Sequence, residues 1–432
     1  MPRCYIGYMA LNRNGYPDKI LNAFKQVSIV VLLGARQVGK TSIMEGFSQD
    51  RQVLTLYGQD PETAQLFEKL SQLEKYLQVY LNPQLKGYLL VDEFQYIPGV
   101  STMMKLLTDK HRNLKILCSG SSSLGTSAEA IGRGSPPDIL QQVEESLAGR
   151  VRTLEVLSLS FSEYLFFNDP KLAALYETLD MDTGSSPLTA PIEALLSEYL
   201  VYGGLPRAAL AADREEKIQI LDDIYQTYLL KDIRNYISQG DIVGFNKMLR
   251  LISAQIGNLL NVNEVSLASG LPRKTCEEYL YILEQMGIIK LLEPYFVNRR
   301  KAIGKMKKVY FCDLGLRNLI EKNFNDIEYR PDRGALFENF CMLELWRNRG
   351  VAGELQFYRT SDGAEVDFIL NRLSKKTAVE CKFSAFAKPV SLAAFNHFCD
   401  DEAITNRFIL NRTLNTVYRD AKFLPGFLAD RI

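Results

Sequence analysis

Residues Gly34-Ala35-Arg36-Gln37-Val38-Gly39-Lys40-Thr41 place two glycines, a lysine and a hydroxyl at the spacing GxxxxGK[ST]. Such glycines let a loop turn its backbone N–H groups inward, where they cradle phosphate oxygens. Lys40 is then spaced to reach the β- and γ-phosphates of a bound ATP, and the Thr41 hydroxyl to take a Mg²⁺ ion. Ser42 follows at the start of a helical stretch, residues 42–47, whose N-terminal partial charge favours the same anion. Residues 28–33, directly upstream, are an apolar run suited to a buried strand. Strand, loop and helix therefore stand in the order the motif requires.

A second group of residues completes this chemistry. Tyr88-Leu89-Leu90-Val91 reads as a buried strand with Asp92 and Glu93 at its C-terminal end, the end where parallel sheets bind ligands. Asp92 is suited to hold Mg²⁺, and Glu93 to polarise the attacking water. The run 114–118 ends in Ser119-Gly120-Ser121-Ser122-Ser123. Ser119 reads either as a sensor of the γ-phosphate or as part of a serine-rich turn. Charge on a transferring phosphate calls for an arginine, and Arg133 and Arg150 each read as that finger or as an ordinary surface arginine.

The elements that must position these groups follow from hydrophobic pattern. Apolar runs at 28–33, 53–57, 88–91, 114–118 and 154–159, separated by helical segments, predict a parallel α/β sheet. Residues 125–137, rich in Gly, Ser and Pro, read as a loop, and the chain from 161 to 245 is mostly helical. Residues 246–312 then run helix, helix with Gly270 at a tight turn, helix from Arg273, and two short strands, the order of a winged helix-turn-helix. Arg299, Arg300, Lys301, Lys305, Lys307 and Lys308 give its wing six positive charges with no acid between them. That wing could lie along the phosphates of DNA, be a solvated hairpin, or pack against the rest of the chain. No residues that would read base edges stand out, so sharp sequence specificity is not expected.

Toward the C-terminus, Glu338 lies on a helical stretch, Asp367 in a strand, and Glu380 and Lys382 in the next. Residues i and i+2 of a strand share a face, so Glu380 and Lys382 point to one place. With Asp367 and Glu338 they could bind Mg²⁺ while Lys382 orients or activates water for phosphodiester attack. The same pattern is also what an amphipathic hairpin with exposed charges would show.

Composition narrows the classes. The chain has 432 residues, 47% of them hydrophobic, and a formal net charge of zero, so any basic binding surface must be local. Its seven cysteines show no CxxC pairing, which speaks against a zinc ribbon or a disulfide framework and suits a cytoplasmic protein. Two histidines leave little room for histidine-based chemistry. The N-terminus has no signal-peptide pattern, and no stretch approaches the roughly 20 apolar residues of a membrane span, so no membrane partner is expected.

Taken together, residues 34–41, Val91-Asp92-Glu93-Phe94-Gln95, 118–122, 146–150 and Tyr202-Gly203-Gly204-Leu205-Pro206 resemble a bacterial and archaeal AAA-type ATPase family. The resemblance spans nearly the whole chain. It implies a C-terminal domain similar to restriction endonucleases, whose PD-(D/E)xK pattern Asp367, Glu380 and Lys382 resemble. In related signalling ATPases a Gly-x-Pro element packs against adenine, which the resemblance extends to Pro206, with a plain helix-loop proline as the alternative. The fold expected is therefore α/β: a parallel-sheet, AAA-like P-loop NTPase domain (1–160), a helical connecting region (161–245), a winged helix (246–312) and a restriction-endonuclease-like α/β domain (313–432). Two functions follow: an ATPase that drives a nuclease-like region on nucleic acid, or a nucleotide-dependent switch whose C-terminal domain binds without cutting. An arginine acting in trans would require a homo-oligomer.

Overall fold

Short β-rich runs that are apolar on both faces can bury themselves only in a sheet covered on each side by helices, which parallel crossovers supply. The computed structural model describes residues 13, 15–121, 147, 149–181, 186–229, 233, 237, 239–296, 306–360, 363–373 and 375–432. Two compact units divide the chain: 1–157 with 231–236 and 285–287, and 158–230 with 237–284 and 288–432. The boundaries expected at 245/246 and 312/313 fall inside the second unit.

In the first unit the strands are β1 (Ile29–Gly34), β2 (Val53–Tyr57), β3 (Gly87–Asp92), β4 (Leu114–Ser121) and β5 (Val151–Glu155). They form one parallel sheet in the order β2-β3-β4-β1-β5. Ile29, Val31, Leu89, Val91 and Ile116 from its centre pack with Leu73, Leu77, Met104 and Leu107 of the crossover helices. The order inserts β4 between the P-loop strand and the carboxylate strand, so β4 ends beside both.

The last strand lies earlier than local pattern suggests. The mainly apolar run lies at 154–159, yet the backbone pairs Val151 with Ile29 through to Glu155 with Leu33. Val156 donates a final bond to Leu33 O at 2.6 Å, and Leu157 is buried beyond the ladder. Pairing to β1, not the apolar run itself, decides the strand's position.

The second unit begins with helices, including Thr189–Tyr202, Ile242–Ala254, Val262–Ser269 and Arg273–Gln285. β6 (Ile289–Leu292) and the antiparallel β7 (Lys308–Phe311) follow, then helices Leu314–Ile320 and Arg333–Arg347. The remainder holds β8 (Glu354–Arg359), β9 (Glu365–Arg372), β10 (Lys375–Cys381), β11 (Asn406–Asn411), β12 (Thr416–Tyr418) and β13 (Ala421–Pro425). These form a mixed sheet ordered β12-β13-β11-β10-β9-β8. β7 is tied to the helix beside it: the Asn339 amide donates to Phe311 O and accepts from Phe311 N–H, each at 2.8 Å. Among the described residues no helix is long and apolar enough to cross a membrane.

A buried charge network joins the helices of this unit. Arg317 and Arg330, 2% and 0% exposed at the side chain, both donate to Asp332. Arg330 also donates to Asn318 Oδ1 at 2.9 Å, and the Asn318 amide donates to Leu200 O and Val201 O. Burial pushes Asp332 up, but the two guanidiniums outweigh it and hold the carboxyl at about 2, below its ordinary 3.8. A depressed carboxyl stabilises the fold above its unfolded pKa, so this contribution is complete above pH 3.8 and is lost as pH falls toward 2. Asp332→Asn is expected to cost about 3–5 kcal/mol at neutral pH, because two buried guanidiniums lose their counter-charge. It should also flatten the pH dependence of the denaturation midpoint between pH 4 and 2. A midpoint unchanged at pH 7 would refute the argument.

Candidate functional site

The loop after β1 turns through Gln37 and Gly39, both in the left-handed region (φ 61° and 92°), and enters the helix Lys40–Ser48. At Gly39 this conformation asks for glycine. Gly34 has a different reason, since a Cβ there would come 2.0 Å from Val156 O. Lys40 is 5% exposed, and its ammonium donates to Gly34 O at 3.0 Å and Ala35 O at 2.8 Å. Burial pushes it down to about 8, against the opposing pull of Glu93 and Asp92. A phosphate would add to that pull and offset the cost of burying the ammonium.

Thr41 Oγ1 donates to Asp92 Oδ2 at 2.9 Å, joining the helix N-terminus to the tip of β3. This hydroxyl and carboxylate are hard oxygen donors, and Mg²⁺ commonly takes one or two such protein groups, with phosphates and water completing its shell. The residues present therefore fit a Mg²⁺–nucleotide complex. Ser119 is fully buried; its hydroxyl donates to Asp92 Oδ1 and accepts the Glu93 N–H at 3.1 Å. Those bonds make it a holder of the carboxylate pair.

The residues that support Glu93 were not legible as such. Glu93 stands in the left-handed region (φ 52°), turning the chain so that Phe94 tucks under Gly120. Gly58 permits that turn, because a Cβ there would come 2.3 Å from Glu93 O. Gln95 Nε2 donates to Glu93 Oε2 and, at 3.2 Å, to Ser121 Oγ. Phe94, Gln95 and Ser121 lie inside the stretches 91–95 and 118–122 that carry the resemblance, which gives them no role of their own, and Gly58 has no signal in the sequence.

Arg150 lies apart from this group of residues. It precedes β5, and its carbonyl accepts from Ile29 N–H at the start of β1. The phosphate loop lies at the other end of β1, five residues on, or roughly 17 Å at the usual rise per strand residue. Arg150 pairs with Asp109 at 2.7 Å, at the end of β1 away from the loop. Arg133 lies outside the described residues. Pro206 is buried at the first turn of Pro206–Ala209, in the second unit. The glycines before it have a packing reason: Gly204 N–H donates to Asp313 Oδ2 at 2.8 Å, and a Cβ on Gly203 would strike Asp313.

At the C-terminal cluster, Cys381 N–H donates to Asp367 Oδ2 at 2.8 Å, and Lys382 donates to Glu380 Oε1 at 2.7 Å. Burial, then the charges of Glu338 and Glu380, push Asp367 well above the ordinary carboxylate range. Glu338 is already engaged by Lys308 Nζ at 3.0 Å and the Tyr310 hydroxyl at 2.7 Å. Lys308 also pairs with Glu365, and its side chain is 1% exposed. Burial pushes this ammonium down, but Glu338, Asp367 and Glu365 together hold it above its ordinary range. Among the described residues no group of three or more His, Cys, Asp or Glu side chains is arranged to hold a metal ion.

Lys308 therefore corrects the reading of the wing. In β7, positions 308 and 310 share a face, and both side chains reach Glu338, so Lys308 is a buried counter-charge with no access to a phosphate backbone. Lys307 pairs with Glu293 at 2.9 Å. Arg299, Arg300, Lys301 and Lys305 lie outside the described residues. On the helix Arg273–Gln285, Arg273 pairs with Glu277 at 2.9 Å and Lys274 with Glu278 at 3.8 Å, so its own acids offset its cations.

A parallel sheet, a phosphate loop and a Thr41–Asp92 pair at the tips of adjoining elements define a P-loop ATPase domain. Residues 26–165 match the AAA domain family, and residues 193–326 and 333–425 match two domains of unknown function, DUF8612 and DUF4143. An uncharacterized protein of Mycobacterium tuberculosis is 23% identical over 386 residues, 88% of this chain and 76% of that protein. One of Methanocaldococcus jannaschii is 23% identical over 380 residues, 84% of this chain and 78% of its own length. Among solved structures, the Walker-type ATPase of Pyrococcus abyssi is similar at 16% identity and a TM-score of 0.46, covering 72% of this chain and 96% of that one.

Proposed function

We propose that this chain is a Mg²⁺-dependent ATPase whose turnover drives a conformational change in its C-terminal half. The observation that supports it is the meeting of Thr41 Oγ1 and Asp92 Oδ2 at 2.9 Å beside the buried Lys40. In this reading the loop 34–39 and Lys40 hold the phosphates, Thr41 and Asp92 hold Mg²⁺, and Glu93 takes the proton of the attacking water. When bound, the ion would offset charge on the transferring phosphate. Residues 246–312 act as a winged helix, and the mixed sheet after it as a restriction-endonuclease-like domain.

For that last domain the position of Lys308 favours binding without cutting. Its ammonium sits within 3.0 Å of Glu338, a carboxylate that a metal would need. The proposal is thus a nucleotide-dependent switch, with any DNA contact left to the arginines and lysines at 299–305. Purified chain incubated with plasmid, ATP and Mg²⁺ or Mn²⁺ is expected to turn over ATP and leave the DNA intact. Metal-dependent cutting that disappears in both Asp367→Ala and Lys382→Ala would establish the nuclease instead.

A further inference from the structure

Glu93 is held by contacts that the phosphate-loop motif does not account for. We propose that Gln95 is a positioning residue for hydrolysis: its side-chain amide, anchored on Ser121 of β4, sets the Glu93 carboxylate for the attacking water. The inference rests on the reading of Glu93 as general base.

Three observations lead to it. Gln95 Nε2 bridges the tips of two strands, donating to Glu93 Oε2 on one side and Ser121 Oγ on the other. Its carbonyl, Oε1, is buried and has no hydrogen-bond partner among the described residues. An unpaired buried amide oxygen is a cost that an apolar side chain of the same length would avoid, so packing alone does not explain a glutamine there. Room for the amide comes from Gly120, where a Cβ would lie 2.6 Å from the Phe94 ring and 3.1 Å from Gln95 Oε1. The two residues flanking that glycine, Ser119 and Ser121, share a face of β4. Ser119 fixes Asp92 and the Glu93 backbone, and Ser121 fixes Gln95, which fixes the Glu93 carboxylate. One strand thus supports both acids.

In the step concerned, the water oxygen bonds to the γ-phosphorus as the bond from that phosphorus to the β–γ bridging oxygen breaks. The electron pair leaves with ADP and the water's proton passes to Glu93. A carboxylate free to rotate would accept that proton less often, while the loop and Lys40 still hold the nucleotide. The loss therefore belongs in kcat and not in KM.

Gln95→Met keeps the length of the side chain and removes both donor bonds. Its kcat for phosphate release is expected to fall about 10²-fold, as small misplacements of catalytic groups do, with KM and melting temperature unchanged. In a Glu93→Gln background the same substitution should cause no further loss, since the two residues act as one unit. Should Gln95→Met fail to fold, Ser121→Ala is the deciding variant, with a smaller fall in kcat in the same sense. Wild-type kcat in the folded variant, or an equal further loss on top of Glu93→Gln, overturns the role of Gln95 while leaving the base in place. Wild-type turnover by Glu93→Gln itself overturns the base reading, and this inference with it.

Discussion

Lys40→Ala is expected to abolish ATP turnover, lowering phosphate release by about 10²–10³-fold or more, the range seen when one preorganised charge partner of a transition state is removed. Nucleotide affinity should fall with it, because the ammonium contacts phosphates in the ground state as well. Glu93→Gln should behave differently. It keeps the shape of the side chain and loses the proton acceptor, so kcat drops by about 10²–10⁴-fold while ATP stays bound. Phosphate release and fluorescent-nucleotide binding, measured on the same preparations, separate the two. The contrast follows from position: Lys40 lies against the loop carbonyls of Gly34 and Ala35, whereas Glu93 stands at the end of β3 with its backbone held by Ser119. Normal hydrolysis by Lys40→Ala would end the case for this site.

The second large effect concerns stability. Lys308→Met is expected to destabilise the second unit by about 3–5 kcal/mol, because Glu338 loses its buried counter-charge, while Glu365 keeps only Arg359, at 3.1 Å, among the described residues. The neighbouring Lys307→Met serves as the control. Its pair with Glu293 is 41% and 58% exposed, and such pairs contribute about 0–1 kcal/mol at most. Adding Glu338→Gln to Lys308→Met should recover part of the loss by removing one orphaned charge. Urea midpoints read the comparison directly, provided the transition slope stays constant. If the two lysine variants were equally stable, the buried pairing would carry no energetic meaning.

These outcomes also indicate how far local pattern reaches. Lys40, Thr41, Asp92 and Glu93 were legible because their chemistry lies in contiguous motifs, each at the end of a strand that its own apolar residues announce. Asp367, Glu380 and Lys382 were legible as a group for a similar reason: β9 and β10 pair up to Phe368 and Val379, which sets Asp367 beside Glu380, and Lys382 follows just past β10. Gln95 was not, since its meaning comes from Ser121, which reaches it only when β4 is laid beside β3. The place of Arg150 was not legible either, because a strand's direction within a sheet decides which end its flanking residues occupy.

By its residues alone the chain determined that it would bind a nucleotide's phosphates, since glycine freedom, a lysine and a hydroxyl at fixed spacing act over one turn of backbone. It determined, too, that its first part would be a parallel sheet, since runs apolar on both faces have few other ways to leave water. Only the tertiary structure decided which charges are buried. Lys307 and Lys308 are adjacent and chemically identical, yet one pairs at the surface with Glu293 and the other is enclosed by Glu338 and Glu365. That difference is set by which face of β7 packs against the helix Arg333–Arg347. Desolvation depends on every neighbour in space, and no short window of sequence contains them.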